Sequence, residues 1–362
     1  MGTFLLGRLA GALVTLFCVS ALAFFATALA PGNPAAVLLG NMATPERVEA
    51  VTRQLGLDQP PAVRYLYWLR ETVSGNLGTS NLSFKPVGEL LLAALPPTLE
   101  LALASMLLAI AIALPLGLLL AQHRARWWTR PVTGFLTLGI SVPGFWVGLL
   151  LIIVFSVWLK LLPSGGYVPL SKSVAGNIRS MVLPVVTLSI YLVPPLVRFV
   201  RVAALEVLRE PYIDTARAKG VPPGRVLRRH VAPNTLITTI TYIGLQLGML
   251  ISGAVVVEVI FSIPGLGRLG MNAVLNRDYP VVQGVVLVVA ASYVLVNLAI
   301  DVAYAFIDPR VRAGGRRRPR LSRLRPGGAC WASWRAARRS GLGWWCCSFS
   351  PRCSARHSRR IR

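Results

Sequence analysis

The sequence predicts an all-α membrane protein with six transmembrane helices. Three observations carry that reading. Mean hydropathy is +0.61 over 362 residues. Only 14% of residues are charged, where soluble domains carry about 25%. Six apolar runs recur, free of charge except for Glu258 in the fifth and Asp301 in the sixth, each near the roughly 20 residues that cross a bilayer. They cover residues 9–29, 101–121, 132–159, 181–197, 236–261 and 281–306. A long polar segment follows the first run, and a charged helix-pair pattern separates the fourth from the fifth.

The first run, "LAGALVTLFCVSALAFFATAL", holds 21 uncharged residues, more than the roughly 7–15 of a signal-peptide core. It reads as a retained anchor, although Ala28-Leu29-Ala30 resembles a cleavage site. The third run carries Pro143-Gly144 near its middle, which predicts a kink or tilt. The fourth contains Pro184, Pro194 and Pro195, breaks that a span tolerates where neighbouring helices satisfy the freed backbone groups. Segment 31–97 places turn signals ("PGNPA", "GLDQPP", "SGNLGTSN") around short amphipathic pieces such as "PERVEAVTRQLG". It is expected to form a small ordered cap on the outer side.

The net charge of +25 divides unevenly. From Ala313 onward there are 14 arginines and no acid, which leaves +11 for residues 1–312. The excess up to that point is explained by membrane topology, and a nucleic-acid role is not supported. With the N-terminus inside, Arg8, Arg124, Arg126, Arg130, the cluster between Arg198 and Arg229, and Arg310 and Arg312 fall in inner segments. Lys and Arg density is highest on the cytoplasmic side, so both termini are expected there. The tail 313–362 holds four of the five cysteines and four of the nine tryptophans. Two readings stay open for it: a basic disordered tail on anionic membrane lipid, or, the preferred one, a frame-shifted read-through of a G+C-rich gene. Cys346, Cys347, Cys353 and His357 match no standard zinc spacing, so no metal site is expected.

The stretch "REPYIDTARAKGVPPGRVLRRHVAPN", residues 209–234, is dense in charge amid apolar runs. Pro211 suits a first helical turn, where its missing N–H costs nothing. "YIDTARAK" then gives two turns, and Gly220 is a natural C-terminal stop. Pro222 and Pro223 block continuation, and a second short helix, "GRVLRRHV", is expected before Pro233. The residues alone leave three readings open: a solvated inner loop, a basic pair lying on lipid, and a protein-docking knob.

This stretch resembles the EAA motif of ABC-importer permeases. Asp214, Thr215 and Ala216 take the Glu-Ala-Ala places, Gly220 the glycine, and His230, Val231, Ala232 and Pro233 the last four. Ala216, Gly220 and Pro233 are identical to the motif, whereas Asp214 and Thr215 depart from it. The peptide-importer branch is more similar still, through "ARAKG", Arg229-His230 and Asn234. "GLDQP", "GNLGTS", "PPTLEL", "EVIFSIPGLGRL", "NRDYPVVQG" and "NLAIDVAYAFIDPRVR" resemble other segments of dipeptide, oligopeptide and nickel permeases, so the resemblance spans residues 1–312.

The resemblance implies a type I importer fold and a bacterial or archaeal inner membrane. It implies a transport subunit that is not an enzyme and binds no cofactor itself, with ATP and Mg used by partners. Those partners are a homologous second permease, two ATP-binding subunits and an extracytoplasmic solute-binding protein. It makes segment 205–235 a coupling loop, with Tyr212, Asp214, Thr215, Ala216, Ala218, Gly220, His230, Pro233 and Asn234 as its ATPase-facing residues. No Gly-Lys dipeptide occurs, so the chain lacks the phosphate-cradling loop of an ATPase, and no catalytic constellation stands out.

Polar groups inside spans face a bundle interior or a cavity. Tyr242, Gln246 and Ser252 are therefore candidate pathway residues. Gly244 and Gly248 form a Gly-x-x-x-Gly pair that favours close helix approach. Asn297 and Asp301 are four apart and share a helix face, where interhelical hydrogen bonds are the expected role. Glu258 is expected as a satisfied rim carboxylate or a partner of Arg268. The rival from another class is a secondary transporter or channel acting without an ATPase; it would want an inverted repeat, and none is evident.

Overall fold

The computed structural model describes residues 2–29, 44–54 and 58–307, apart from the side chains of 2–5, 51, 54, 140, 251–253, 301 and 303–307. The tail 313–362 therefore lies outside the described residues. In chain order the helices are α1 (Gly2–Ala28), α2 (Pro45–Gln54), α3 (Pro61–Val73), α4 (Val87–Gln122), α5 (Thr129–Ser141), α6 (Gly144–Leu151), α7 (Val174–Val207), α8 (Pro211–Ala218), α9 (Pro223–Val226), α10 (Ala232–Gly253), α11 (Val255–Ile260), α12 (Leu266–Leu275) and α13 (Tyr279–Ile307). Two π-helical stretches, Ile152–Trp158 and Leu227–Val231, continue α6 and α9.

Among the described residues four helices are long and apolar enough to cross a membrane: α1, α4, α7 and α13. The pair Thr129–Gly139 and Gly144–Trp158 makes a fifth if counted as one span bent by 96°. That bend sits where the sequence places Pro143: Val142 and Pro143 both take extended conformations, ψ 126° and 128°, since a residue before proline is pushed out of the helical region. The run expected at 236–261 is divided too, with Ala254 separating α10 from α11. By contrast Pro96, Pro97 and Pro115 stay inside α4, and Pro184, Pro194 and Pro195 inside α7.

The core is the α4–α7 contact. A small-residue stripe on α4 (Ala102, Ser105, Ala109, Ala113, Gly117) is fully buried or nearly so and lets the backbones approach closely. A Cβ on Gly117 would lie 2.7 Å from Val200 Cβ and 3.1 Å from the Val197 carbonyl. The Ser189 hydroxyl donates to the Ser105 carbonyl at 3.0 Å. Position 105 thus meets 189 and 117 meets 197–200, so α4 and α7 run parallel and end at the same side. Gly139 lies against Pro194 and Gly148 against Thr187, so α5 and α6 return antiparallel to α7. Gly244 faces Ile300 and Gly248 faces Tyr293, which makes α10 and α13 antiparallel. Gln283 Nε2 donates to Thr27 Oγ1 at 2.6 Å, tying the end of α1 to the start of α13. On the other flank of α1, Ser20 and Tyr65 share a hydrogen bond at 2.8 Å beside the Phe24, Tyr65 and Trp68 rings.

Candidate functional site

Helix α8 begins with Pro211 in its first turn, with Asp214 near its positive end and Arg217 in its last turn, the arrangement the helix dipole favours. Its end is a Schellman closure: Gly220 N–H donates to the Arg217 carbonyl at 2.9 Å and Val221 N–H to the Ala216 carbonyl at 3.2 Å. Gly220 has φ +74°, a conformation that glycine adopts without steric cost. Val221, Ile213, Val226 and Val231 pack into the core cluster that also holds Leu120, Ala121 and Val200. Ile213 and Val231 are fully buried. The helix pair is therefore keyed into the C-terminal ends of α4 and α7.

The opposite face of α8 is open. Tyr212, Asp214, Thr215, Arg217, Ala218, Lys219 and Gly220 are exposed, and Ala216 is half-buried. Asp214 and Arg217 form an exposed ion pair at 3.4 Å. Asn234 Nδ2 donates to Tyr212 Oη at 3.1 Å and to the His230 carbonyl at 2.8 Å, which ties α8 to the start of α10. The second short helix differs from expectation. α9 does not stop before Pro233 but passes through the π-helical turn Leu227–Val231 directly into α10. Ala232 N–H reaches back five residues to the Leu227 carbonyl, and the wider turn brings Pro233, which has no N–H to place, into the first turn of α10.

In the spans, Tyr242 stacks on Phe199 of α7 with centroids 4.3 Å apart, and Gln246 is half-buried. The side chains of Ser252 and Asp301 lie outside the described residues. A Cβ on Gly244 would fall 2.0 Å from Ile300 Cδ1, and one on Gly248 2.6 Å from Tyr293. Asn297 Nδ2 donates to the Tyr293 carbonyl of its own helix at 3.0 Å, where an interhelical bond was expected. Among the described residues no cluster of His, Cys, Asp and Glu is arranged to hold a metal ion.

Glu258 is fully buried. Its Oε1 accepts the Thr98 hydroxyl at 2.6 Å and its Oε2 the Arg268 backbone N–H at 3.0 Å. The same Thr98 hydroxyl accepts Leu266 N–H at 2.8 Å. Thr98 and Glu258 together supply partners for the N-terminal amides of α12, which carries no side-chain cap of its own. Gly265 and Gly267 make room for this, since a Cβ on Gly265 would lie 2.3 Å from Glu258 Cδ.

Two family descriptions match the chain. "Binding-protein-dependent transport system inner membrane component" covers residues 113–313, and the corresponding N-terminal component covers residues 1–102. The chain belongs to this permease family. A protein of Brucella abortus (strain 2308) named for peptide transport is 40% identical over 312 residues, 86% of this chain and 99% of its own. The glutathione transport system permease of Escherichia coli (strain K12) is 39% identical over the same extent. The inward-facing methionine ABC transporter MetNI shares the fold, with TM-score 0.51 and 21% identity over 60% of this chain and 96% of that one. The chain is thus a multi-pass membrane transport subunit and not an enzyme.

Two features of this permease escaped the sequence reading. Asp278 is buried and accepts the Ser80 hydroxyl at 2.5 Å and Asn81 N–H at 3.1 Å, joining "GNLGTS" to "NRDYP". Arg198 and Arg201, which the sequence reading left in an inner loop after a span ending at 197, lie within α7. The apolar run stops at the first arginine, but the helix continues to Val207 because α4 packs along it.

Proposed function

We propose that this permease forms half of the translocation pathway of an importer for peptides or a peptide-like solute such as glutathione. It pairs with a homologous permease, receives cargo from an extracytoplasmic binding protein, and is driven by two ATPase subunits, one of which takes the helix pair 211–231 in a cleft. The observation that carries this is the construction of that pair: buried apolar anchors on one side, and on the other an exposed polar face bearing Tyr212, Asp214, Thr215 and Ala218. A solvated loop requires no such anchoring. The cargo class rests on the relatives named for peptide and glutathione transport.

In this reading the bundle crosses the membrane six times, as α1, α4, α5 with α6, α7, α10 with α11, and α13. The helix directions support it, with both ends of the described chain at the side of the helix pair. That side is the cytoplasm, segment 31–97 lies outside, loop 205–235 couples to the ATPase, and the permease domain comprises residues 1–312. Tyr242, Gln246 and Ser252 line the path, while Gly244, Gly248, Asn297 and Asp301 serve helix packing.

The test is co-purification from the native host in mild detergent, wild type against Gly220→Pro. Proline cannot adopt φ +74°, so the variant opens the closure of α8. ATPase subunits are expected with the wild type and lost with the variant. Their absence from the wild type would sink the proposal in favour of a transporter or channel acting alone.

A further inference from the structure

Helix α7 is the most enclosed of the candidate spans, with 61% of its apolar window buried against 11% for α1. Its uncovered residues include apolar Val174, Ile178 and Ile190, but also charged groups toward its C-terminal end. The open face of α1 is apolar, with Leu9, Leu13, Phe17 and Leu22 exposed. The open strip of α7 carries Tyr191, Arg198, Val202 and Glu206, spaced by seven, four and four residues and so on one side of the helix. Arg201 adds a second cation, half-buried, whose Nε is enclosed with no hydrogen-bond partner.

The α4–α7 register fixes the depth of these charges. Arg198 stands level with Gly117, between the Val197 and Val200 contacts. Gly117 lies in "LPLGLLLA", five residues before Gln122, so it is about 8 Å inside the apolar end of α4 at 1.5 Å per residue. An uncovered guanidinium at that depth is costly against hydrocarbon, and such groups face a bundle interior or a water-filled path. Among the described residues the ion pairs are Arg53–Glu49 and Arg217–Asp214, and neither involves Arg198. Two turns toward the N-terminal end of α7 stands Tyr191, 56% exposed, and Phe199, next to Arg198, carries the stacked ring of Tyr242.

We propose that Arg198 faces the translocation path and receives the carboxylate of the passing cargo. This rests on the peptide-class reading above. A guanidinium offers parallel N–H donors that match a carboxylate in two-point contact, and it stays charged at any pH the cell meets. The ligand class is a carboxylate-terminated solute, and its terminal amide is the counterpart the site discriminates against. Arg198 lies outside helix pair 211–231, so its role is separable from ATPase coupling.

The experiment is uptake into proteoliposomes holding the complete transporter with its binding protein, using radiolabelled tri-alanine and tri-alanine amide, with ATP hydrolysis followed in parallel. The wild type is expected to carry the free acid about 10-fold faster than the amide, the scale of one charge-assisted hydrogen-bonded contact. Arg198→Gln should remove that preference while the assembled complex still hydrolyses ATP, and Arg198→Lys should keep part of it. If Arg198→Gln slows both peptides equally, or the complex fails to assemble in both variants, the arginine holds a partner-subunit carboxylate and the proposal is overturned with the permease reading intact. A preference unchanged in Arg198→Gln overturns it as well, placing selection in the binding protein. If the wild type carries neither peptide, the peptide reading falls, and this proposal with it.

Discussion

The Thr98 hydroxyl donates to Glu258 Oε1 at 2.6 Å while accepting the Leu266 amide, so one side chain of α4 closes the polar circuit between α11 and α12. All the groups involved are buried, and removing one leaves others unsatisfied at about 1–3 kcal/mol each. Thr98→Val keeps the shape and loses both bonds. It is expected to lower the melting temperature in detergent by several degrees, whereas Thr98→Ser should stay near wild type. Equal melting of Val and Ser variants would show that the hydroxyl contributes nothing.

Ile213 anchors the charged helix pair from a site with no solvent exposure. Truncation to alanine at such sites costs about 2–5 kcal/mol. The loss here is expected to be local, because the neighbouring α4–α7 contact does not depend on α8. Amide hydrogen exchange over residues 211–221 should accelerate at least about 10-fold in Ile213→Ala, with the central turns of α4 and α7 unchanged. Unchanged exchange in 211–221 would mean that Val221, Val226 and Val231 hold the pair alone.

Gly244 and Ile300 occupy each other's space. A side chain at 244 would start 2.0 Å from Ile300 Cδ1, so Gly244→Val is expected to destabilise by about 1–3 kcal/mol through overpacking. The Gly244→Val/Ile300→Ala double variant should recover a large part of that loss. The coupling energy from the four-way cycle measures the contact, and strict additivity would contradict it.

Tyr167, in the loop before α7, donates to Glu100 Oε2 at 2.8 Å. Burial first, and then the hydrogen bond and negative charge of Glu100, push its pKa from 10.0 up to about 12. The folded state therefore favours the neutral phenol. That stabilisation is complete below pH 10 and is lost as pH rises through about 12. In an ultraviolet titration of tyrosinate, Tyr167→Phe should remove one late transition. Loss of a transition near the ordinary tyrosine value would show the bond to be absent in solution.

The local parts of this molecule were legible because proline and glycine report their own backbone demands. Pro211, Gly220 and Pro222 mark the start and stop of α8, and Pro143 marks the 96° bend. What escaped notice depended on residues far apart in the chain. Thr98 meets Glu258 across 160 positions, and no periodicity within either segment records that. The C-terminal end of α7 lies beyond the apolar run at 181–197 for a related reason. Counting charges ends an apolar run at Arg198, while the true limit of α7 is set by its neighbour α4. The sequence reading places the second short helix before Pro233, and the π-helical turn Leu227–Val231 instead carries the chain on into α10.

The Ser80–Asp278 contact spans 198 positions, and that separation sets an order of events during biogenesis. Ser80 leaves the ribosome long before Asp278 exists, so the loop around it stays unfastened while most of the bundle is being made. It is secured only when the turn ahead of α13 reaches the same side.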